Sequence, residues 1–194
     1  MNARQQDRVN AILWAQALLK KDFFVLDTET TGANPKRDQP VCVGIINGKG
    51  EVVLDALVKP TIAISSGASR VHGIYPQHVL NAPPFAEIAQ VVLEMFRAAP
   101  VVIYNASFDV GILNTALRSA NMKERVKVKQ TQDAMQQYAA FNGAWNAQYG
   151  SYRWVKLIDA CDQMNIPEID DKAHSAIGDV KRTLALMHAM AASQ

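Results

Sequence analysis

Residues 23–32 read FFVLDTETTG, and this stretch decides how the rest of the chain is interpreted. Its four leading apolar residues predict a strand that is buried on both faces, as in the centre of an α/β sheet. Because side chains at i and i+2 of a strand point the same way, Asp27 and Glu29 are expected to share one face at its end. At about 3.3 Å of rise per residue their carboxylates start roughly 7 Å apart, near enough for both to hold one cation. The alternative is that both are simply solvated where the strand leaves the sheet.

The composition is that of an ordinary globular protein with one domain. The chain has 194 residues, of which 49% are apolar, so it is long enough to bury a substantial core. A net charge of +2 neither favours nor excludes a nucleic-acid partner, so any basic footprint must be local. We find no secretory segment and no apolar run of about 18 residues, and we therefore expect a cytoplasmic protein with no membrane partner. Cys42 and Cys161 lie in apolar contexts and are interpreted as buried, reduced thiols.

The predicted elements alternate in the manner of a mixed α/β sheet with helices on both faces. The sequence Asn47–Gly50 is a strong hairpin signal between two of the strands. The predicted order is helix 3–21, strand 23–29, strands 41–46 and 51–58, irregular chain 61–82, a helix from 85 that ends before Pro100, strand 101–105, helix 107–120, an edge strand over 123–129, helix 133–141, a loop over 142–152, helix 154–164 and helix 175–192.

Two further carboxylates are predicted at helix starts. Asp109 falls in the first turn of a helix that follows a buried strand. An aspartate there either favours the helix dipole or points into the crevice beyond the strand ends, where open α/β sheets bind ligands. Asp179 lies one turn into the last helix, and His174 stands in the loop before it. A lone loop histidine is either a surface residue or a base.

Taken together, these carboxylates predict a metal site. Four carboxylates from one strand end and two helix starts would repel one another unless a divalent cation neutralised them. Oxygen ligands without thiolates favour Mg²⁺ or Mn²⁺ over zinc. Two such cations would clamp the attacking and leaving oxygens of a phosphodiester, and His174 would then deprotonate the attacking water.

Three short patterns, in this order and on these predicted elements, resemble the exonuclease motifs of the DEDDh (DnaQ-like) family. They are Asp27-x-Glu29-Thr30-Thr31-Gly32, Asn105-x-x-Phe108-Asp109 and His174-x4-Asp179. The family includes the proofreading epsilon subunit of bacterial DNA polymerase III. Residues 71–74 (VHGI) and 83–85 (PPF) also resemble the segment between its first two motifs. On this resemblance we divide the chain into an N-terminal helical extension, residues 1–22, and a DEDDh exonuclease domain, residues 23–194.

The resemblance implies an RNase H-like fold, two divalent cations and 3′→5′ release of nucleoside 5′-monophosphates from single-stranded or frayed ends. It implies that Asp27, Glu29 and Asp179 hold one Mg²⁺ or Mn²⁺, that Asp27 also contacts the second with Asp109 acting on it, and that His174 is the general base. It further implies that Thr30, His72, Asn105 and Phe108 shape the pocket for the terminal nucleotide. For His72 the alternative is a loop histidine that caps local backbone.

Several alternatives stay open. DNA is favoured over RNA because the second motif and residues 71–74 are similar to epsilon, although an exoribonuclease and an inactive binding subunit are also considered. Residues 65–70 lack the acidic position of epsilon subunits and the chain ends directly after the last helix, so we expect a free-standing or differently partnered nuclease. The N-terminal helix either packs on the sheet or docks a partner protein. Two sets of side chains either contact nucleic acid or are structural: the basic residues Lys123, Arg125, Lys127 and Lys129, and the aromatic residues Tyr138, Phe141, Trp145, Tyr149, Tyr152 and Trp154.

Overall fold

The strand that carries the first motif is the middle strand of a five-stranded sheet. The structure is a computed structural model, and it describes residues 2–169 and 175–193. The strands are β1 (Phe24–Thr30), β2 (Pro40–Asn47), β3 (Val52–Leu57), β4 (Val101–Ile103) and β5 (Thr131–Asp133), in the spatial order β3-β2-β1-β4-β5. β2 is antiparallel to β1 and to β3, whereas β4 is parallel to β1 and β5 is parallel to β4. The predicted mixed sheet is confirmed.

Helices cover both faces of this sheet. The described helices are α1 (Ala3–Leu18), α2 (Ser66–His72), α3 (Phe85–Ala98), α4 (Ala106–Ser119), α5 (Ala134–Asn142), α6 (Leu157–Gln163) and α7 (Ala176–Ala192). Leu26 of β1 belongs to a core cluster with residues of α3 and α4, and the neighbouring Val25 packs on the other face with Val180 and Met187 of α7. Both faces of β1 are therefore buried, as its continuous apolar run predicts.

The close approach of α7 to the sheet depends on a glycine in β2. Gly44 pairs with Asp27 across the sheet, and a Cβ added to Gly44 would lie 2.7 Å from the carbonyl carbon of Ala176. α7 begins here because the Ser175 side chain caps it, accepting a hydrogen bond from the backbone N–H of Gly178. Gly44 thus leaves room for the start of α7 beside the strand that carries Asp27.

The N-terminal helix α1 packs against α5 and α7. The Trp14 indole donates a 2.9 Å hydrogen bond to the Gln132 side chain in β5, and Arg8 donates one of 2.7 Å to the carbonyl of Phe141 in α5. Packing on the flank of the sheet is the first of the two roles considered for this helix.

The predicted edge strand over residues 123–129 is wrong. Val126 instead exchanges two hydrogen bonds with the Asn114 side chain, of 2.8 and 2.9 Å, so its backbone polar groups are satisfied by α4 without a partner strand. A 3₁₀ turn, Val128–Gln130, follows, and the strand begins only at Thr131. The four basic side chains predicted to form one strand face therefore do not share one.

The structure of three other segments differs from the prediction. The segment predicted as irregular contains α2, which Ser65 caps at its start and Gly73 ends at φ 74°, and a 3₁₀ helix, Pro76–Val79. The predicted loop over residues 142–152 contains a two-stranded hairpin of β6 (Trp145–Asn146) and β7 (Ser151–Tyr152). The helix predicted to start at Trp154 starts at Leu157.

Both cysteines are buried and free, as their apolar contexts predict. Among the residues that the structure describes, no helix is both long and apolar enough to cross a membrane.

Candidate active site

Three carboxylates converge where β1 ends. Asp27 and Glu29 project from one face of β1, and Asp179 reaches them from the first turn of α7 on that face. Each offers one oxygen, and these three oxygens all lie within 4.8 Å of one another. Glu29 is buried, and the other two are half-buried. A cluster of oxygen donors at this spacing has the chemistry of a site for a hard divalent cation.

The electrostatics of this trio fit a bound cation. Burial and, after it, the charges of Asp109, Glu29 and Asp179 raise the pKa of Asp27 well above its ordinary value. Burial and the charges of Asp179 and Asp109 raise the pKa of Glu29 to about 7. Ionised carboxylates are therefore disfavoured here without a compensating positive charge, and a divalent ion supplies one.

Asp109 approaches from the opposite face of the sheet. It is buried in the first turn of α4 and accepts a 2.7 Å hydrogen bond from the Thr28 hydroxyl, and it lies outside the group of three oxygens. Burial raises the pKa of Asp109 to about 7, while the hydrogen bond from Thr28 opposes that rise. The structure thus brings three of the four predicted carboxylates together and places the fourth within electrostatic reach of Asp27.

A buried arginine that the sequence analysis did not single out contacts the trio. Arg182, one turn after Asp179 in α7, is 7% exposed, and its guanidinium donates a 3.2 Å hydrogen bond to the Asp179 carboxylate. The i, i+3 spacing of an aspartate and an arginine on a predicted helix could have indicated this ion pair from the sequence. The guanidinium holds the Asp179 side chain and offsets part of the negative charge.

A cavity of about 350 Å³ adjoins the trio at Glu29. Three of the predicted substrate-binding residues, Thr30, His72 and Phe108, line it, together with small side chains of the β1–β2 loop and α2. This shared lining makes the cavity and the carboxylates one continuous site.

His72 is buried at the C-terminal end of α2 and ties that helix to β1. Its Nδ1 accepts a 2.9 Å hydrogen bond from the backbone N–H of Ile74. Because Nδ1 is an acceptor, Nε2 carries the proton and donates to the carbonyl of Thr30 at 3.1 Å, an assignment that follows from the hydrogen-bond network. The imidazole therefore lines the cavity and also fixes the backbone around it.

Asn105 lines a different groove from the other three predicted substrate-binding residues. It precedes α4 with φ 70°, a left-handed conformation that asparagine tolerates better than most residues. It lines a second groove, of about 680 Å³, together with Asp179, Trp154 and Lys156. It therefore does not share the cavity of the other three predicted substrate-binding residues. The predicted base, His174, lies outside the described residues.

Comparison with known proteins identifies the family. A family model described as Exonuclease (RNase_T) matches residues 24–187, a segment that includes β1 and most of α7. The chain belongs to this exonuclease family. It is DnaQ-like, since its relatives include DNA polymerase III epsilon subunits.

Two relatives show how far the similarity of this DnaQ-like exonuclease extends. An uncharacterised exonuclease, CP81 of Escherichia phage 186, is 30% identical over 181 residues, which are 91% of this chain and 92% of the phage protein. The epsilon subunit of Escherichia coli DNA polymerase III is 38% identical over 100 residues, 47% of this chain and 41% of that subunit. The chain thus spans nearly all of the phage exonuclease and less than half of epsilon.

Solved structures confirm the RNase H-like exonuclease fold. The zinc-bound form of E. coli ExoI in complex with ssDNA superimposes with a TM-score of 0.65 at 20% identity, over 85% of this chain and 39% of ExoI. A 3′-exonuclease that recognises a histone mRNA stem-loop superimposes with a TM-score of 0.69 at 15% identity, over 94% of this chain and 71% of that protein.

Proposed function

We infer that this DnaQ-like exonuclease removes nucleoside 5′-monophosphates, in the 3′→5′ direction, from single-stranded or frayed DNA ends with the help of divalent cations. One observation carries the proposal: Glu29 belongs both to the trio of carboxylates and to the lining of the 350 Å³ cavity. A terminal nucleotide held in that cavity would therefore have its phosphodiester beside the carboxylates. The similarity of the chain to DnaQ-like exonucleases supports the direction.

Each described residue has a task in this proposal. Asp27, Glu29 and Asp179 would hold one divalent cation, Mg²⁺ or Mn²⁺. Asp109, whose carboxylate accepts a hydrogen bond from the Thr28 hydroxyl, would act on a second cation. Bound divalent cations would supply positive charge for the phosphate oxygens of the transition state. The half-buried ring of Phe108 would contact the terminal base, and His72 and Thr30 would form the wall behind it.

We assign the general base to His174 on its motif alone, with no support from the described residues. A histidine near its ordinary pKa can accept the proton of the attacking water. His174→Ala is then expected to reduce the rate by orders of magnitude while binding of Mn²⁺ survives. An unchanged pH–rate profile in this variant would remove His174 from the role.

RNA is the second candidate substrate, because a structural neighbour covering 94% of this chain is a 3′-exonuclease of histone mRNA. The test is a time course on 5′-labelled DNA and RNA of one sequence, with Mg²⁺, Mn²⁺ or EDTA. A metal-dependent ladder that shortens from the 3′ end is expected, and the faster substrate decides between DNA and RNA. Intact oligonucleotides with every metal, from folded protein, would contradict the proposal and favour a binding subunit.

A further inference from the structure

The hairpin of β6 and β7 and the residues after it expose large aromatic side chains. Tyr149 in the turn is 73% exposed and Trp154, two residues after β7, is 69% exposed. The other aromatic residues of this region are structural: Tyr138 and Phe141 are buried, and the rings of Trp145 and Tyr152 pack edge to face. Two of the six aromatic residues named in the sequence analysis are thus largely free of core contacts.

Trp154 lies where two surface grooves meet. It lines the groove of about 680 Å³ that reaches the trio at Asp179 and passes Asn105. It also lines a second groove, of about 710 Å³, against the hairpin, together with Tyr149 and Arg153. A continuous surface therefore leads from the carboxylates, at Asp179, past Trp154 to the hairpin.

The backbone that carries Trp154 is fixed without the help of its indole. The Tyr104 hydroxyl, at the end of β4, donates a 2.7 Å hydrogen bond to the carbonyl of Val155, and the N–H of Arg153 donates one of 2.8 Å to Ala144. The hairpin is itself held to α1 by a 2.7 Å hydrogen bond from Tyr152 to Asp7. The exposed indole is thus presented by a braced segment, and removing it leaves these hydrogen bonds in place.

The charges along this surface favour a polyanion once the trio holds cations. Arg153 and Lys156 flank Trp154 and are exposed. Among the residues that the structure describes, the carboxylates that line this groove are those of Asp179 and of Asp159, in the first turn of α6. Aromatic faces alternating with cations are the pattern by which proteins hold single strands without reading their sequence.

We propose that this surface binds the nucleotides upstream of the 3′-terminal one, with a base stacked on Trp154 and phosphates near Arg153 and Lys156. The inference rests on the proposed function, because the path starts at the carboxylates that would cut the terminal phosphodiester. A single strand is the occupant that fits, since the groove is continuous with that site and combines stacking faces with positive charge.

Equilibrium competition tests the proposal without hydrolysis. Unlabelled dT12 and dT2 with hydrolysis-resistant phosphorothioate linkages compete with a fluorescent dT12 of the same chemistry for wild-type protein and for Trp154→Ala, in Mg²⁺, so that the trio can hold its cations. We expect Trp154→Ala to weaken the affinity for dT12 about tenfold, which is the size of one lost base–aromatic stack. The affinity for dT2 should not change. Trp154→Phe should retain most of the affinity, because a phenyl ring still offers a stacking face.

The charge contribution has a matched control. Lys156→Ala should weaken the binding of dT12 by the protein. It should also lower the salt dependence of that affinity by about one released counterion. Lys49→Ala removes an equally exposed lysine from the β2–β3 turn, at the end of the sheet away from the trio, and should change neither.

Binding and hydrolysis separate the two proposals. If the wild-type protein trims dT12 but Trp154→Ala binds dT12 as tightly as the wild type, this inference alone is overturned. The aromatic surface would then be better explained as a binding site for a partner protein. Wild-type affinity that does not differ between dT12 and dT2 would also overturn it. Protein that binds dT12 through Trp154 and yet hydrolyses no oligonucleotide would support the inference and contradict the proposed function.

Discussion

The Thr28 hydroxyl donates a 2.7 Å hydrogen bond to the carboxylate of Asp109, across 81 residues of sequence. Thr28 lies between Asp27 and Glu29 in β1, so its side chain points to the opposite face of the strand. The end of β1 therefore contributes to both faces of the sheet. Asp27 and Glu29 face α7, and Thr28 between them hydrogen-bonds the Asp109 carboxylate of α4. The bond favours the ionised form of Asp109 against the effect of burial.

Removing this hydrogen bond should impair the site without removing a carboxylate. Thr28→Val keeps the shape of the side chain and leaves the buried Asp109 without its hydroxyl donor. Hydrogen bonds to charged groups are worth about 1.5–3 kcal/mol, so we expect kcat to fall by about 10–100-fold. Thr28→Ser keeps the hydroxyl and should keep most of the activity. The Mg²⁺-dependent rate on a single-stranded oligonucleotide measures both, and a Thr28→Val enzyme at the wild-type rate would contradict a role for Asp109.

The raised pKa of Glu29 sets the pH dependence of stability in the metal-free protein. A carboxyl whose pKa is about 7 when folded and near 4.5 when unfolded binds more protons in the folded state between those values. The free energy of unfolding therefore falls as the pH rises through this window. The raised pKa values of Asp27 and Asp109 act in the same direction.

Thermal unfolding in EDTA should show a lower Tm near pH 8 than near pH 5, as these shifts predict. Mg²⁺ or Mn²⁺ should raise the Tm more at the higher pH, because the ion binds the ionised carboxylates. Equal stabilisation by the metal at both pH values would show that metal binding is not coupled to the loss of protons from these carboxyl groups.

Neutralising one carboxylate should stabilise the metal-free protein while it abolishes hydrolysis. Asp27→Asn removes a buried charge that Glu29, Asp109 and Asp179 all repel. We expect the Tm in EDTA near pH 8 to rise by about 2–4 °C, which corresponds to about 1 kcal/mol in a chain of this size. Asp22→Asn, at an exposed position two residues before the opposite end of this strand, is the control and should change neither stability nor activity. A lower Tm for Asp27→Asn would mean that the trio is not under electrostatic strain.

The period of a strand explains why the first motif could be understood from sequence. An apolar run followed by carboxylates at i and i+2 leaves one orientation for Asp27 and Glu29 when the strand is buried on both faces. The same reasoning failed at residues 123–129, where alternation of Lys and Val indicated a strand. The Asn114 side chain instead donates one hydrogen bond to the Val126 backbone and accepts another from it, and no local sequence pattern predicts a contact of this kind.

The pattern of residues by itself did not divide the four carboxylates, although the family resemblance set Asp109 apart from Asp27, Glu29 and Asp179. Four convergent acids were predicted, whereas the structure groups three and braces Asp109 with Thr28. This pairing depends on which face of the sheet α4 covers, a property of tertiary packing. The presentation of Trp154 depends likewise on hydrogen bonds from Tyr104 to Val155 and from Tyr152 to Asp7, which join segments far apart in the chain.

Gly44 offers a test of whether the position of α7, and not only the presence of Asp179, makes the site. In Gly44→Ala the new Cβ would meet the backbone of Ala176 at 2.7 Å, so the start of α7 must move away from the sheet. Such overpacking costs about 1–3 kcal/mol of stability, and here it also displaces Asp179 from Asp27 and Glu29. We expect weaker Mn²⁺ binding and a lower kcat per folded molecule.

The matched control for Gly44→Ala is Ile45→Ala, at the adjacent position of β2 but on the opposite face. Ile45 is fully buried in the cluster formed by α3 and α4, so its truncation should cost about 2–5 kcal/mol of stability through a cavity while α7 stays in place. Mn²⁺ affinity, measured where both variants remain folded, separates the two effects. Because the Ile45 variant loses only packing, it should keep its metal affinity, whereas the Gly44 variant should not. Equal affinities would show that Asp179 reaches the other carboxylates even when α7 is pushed away.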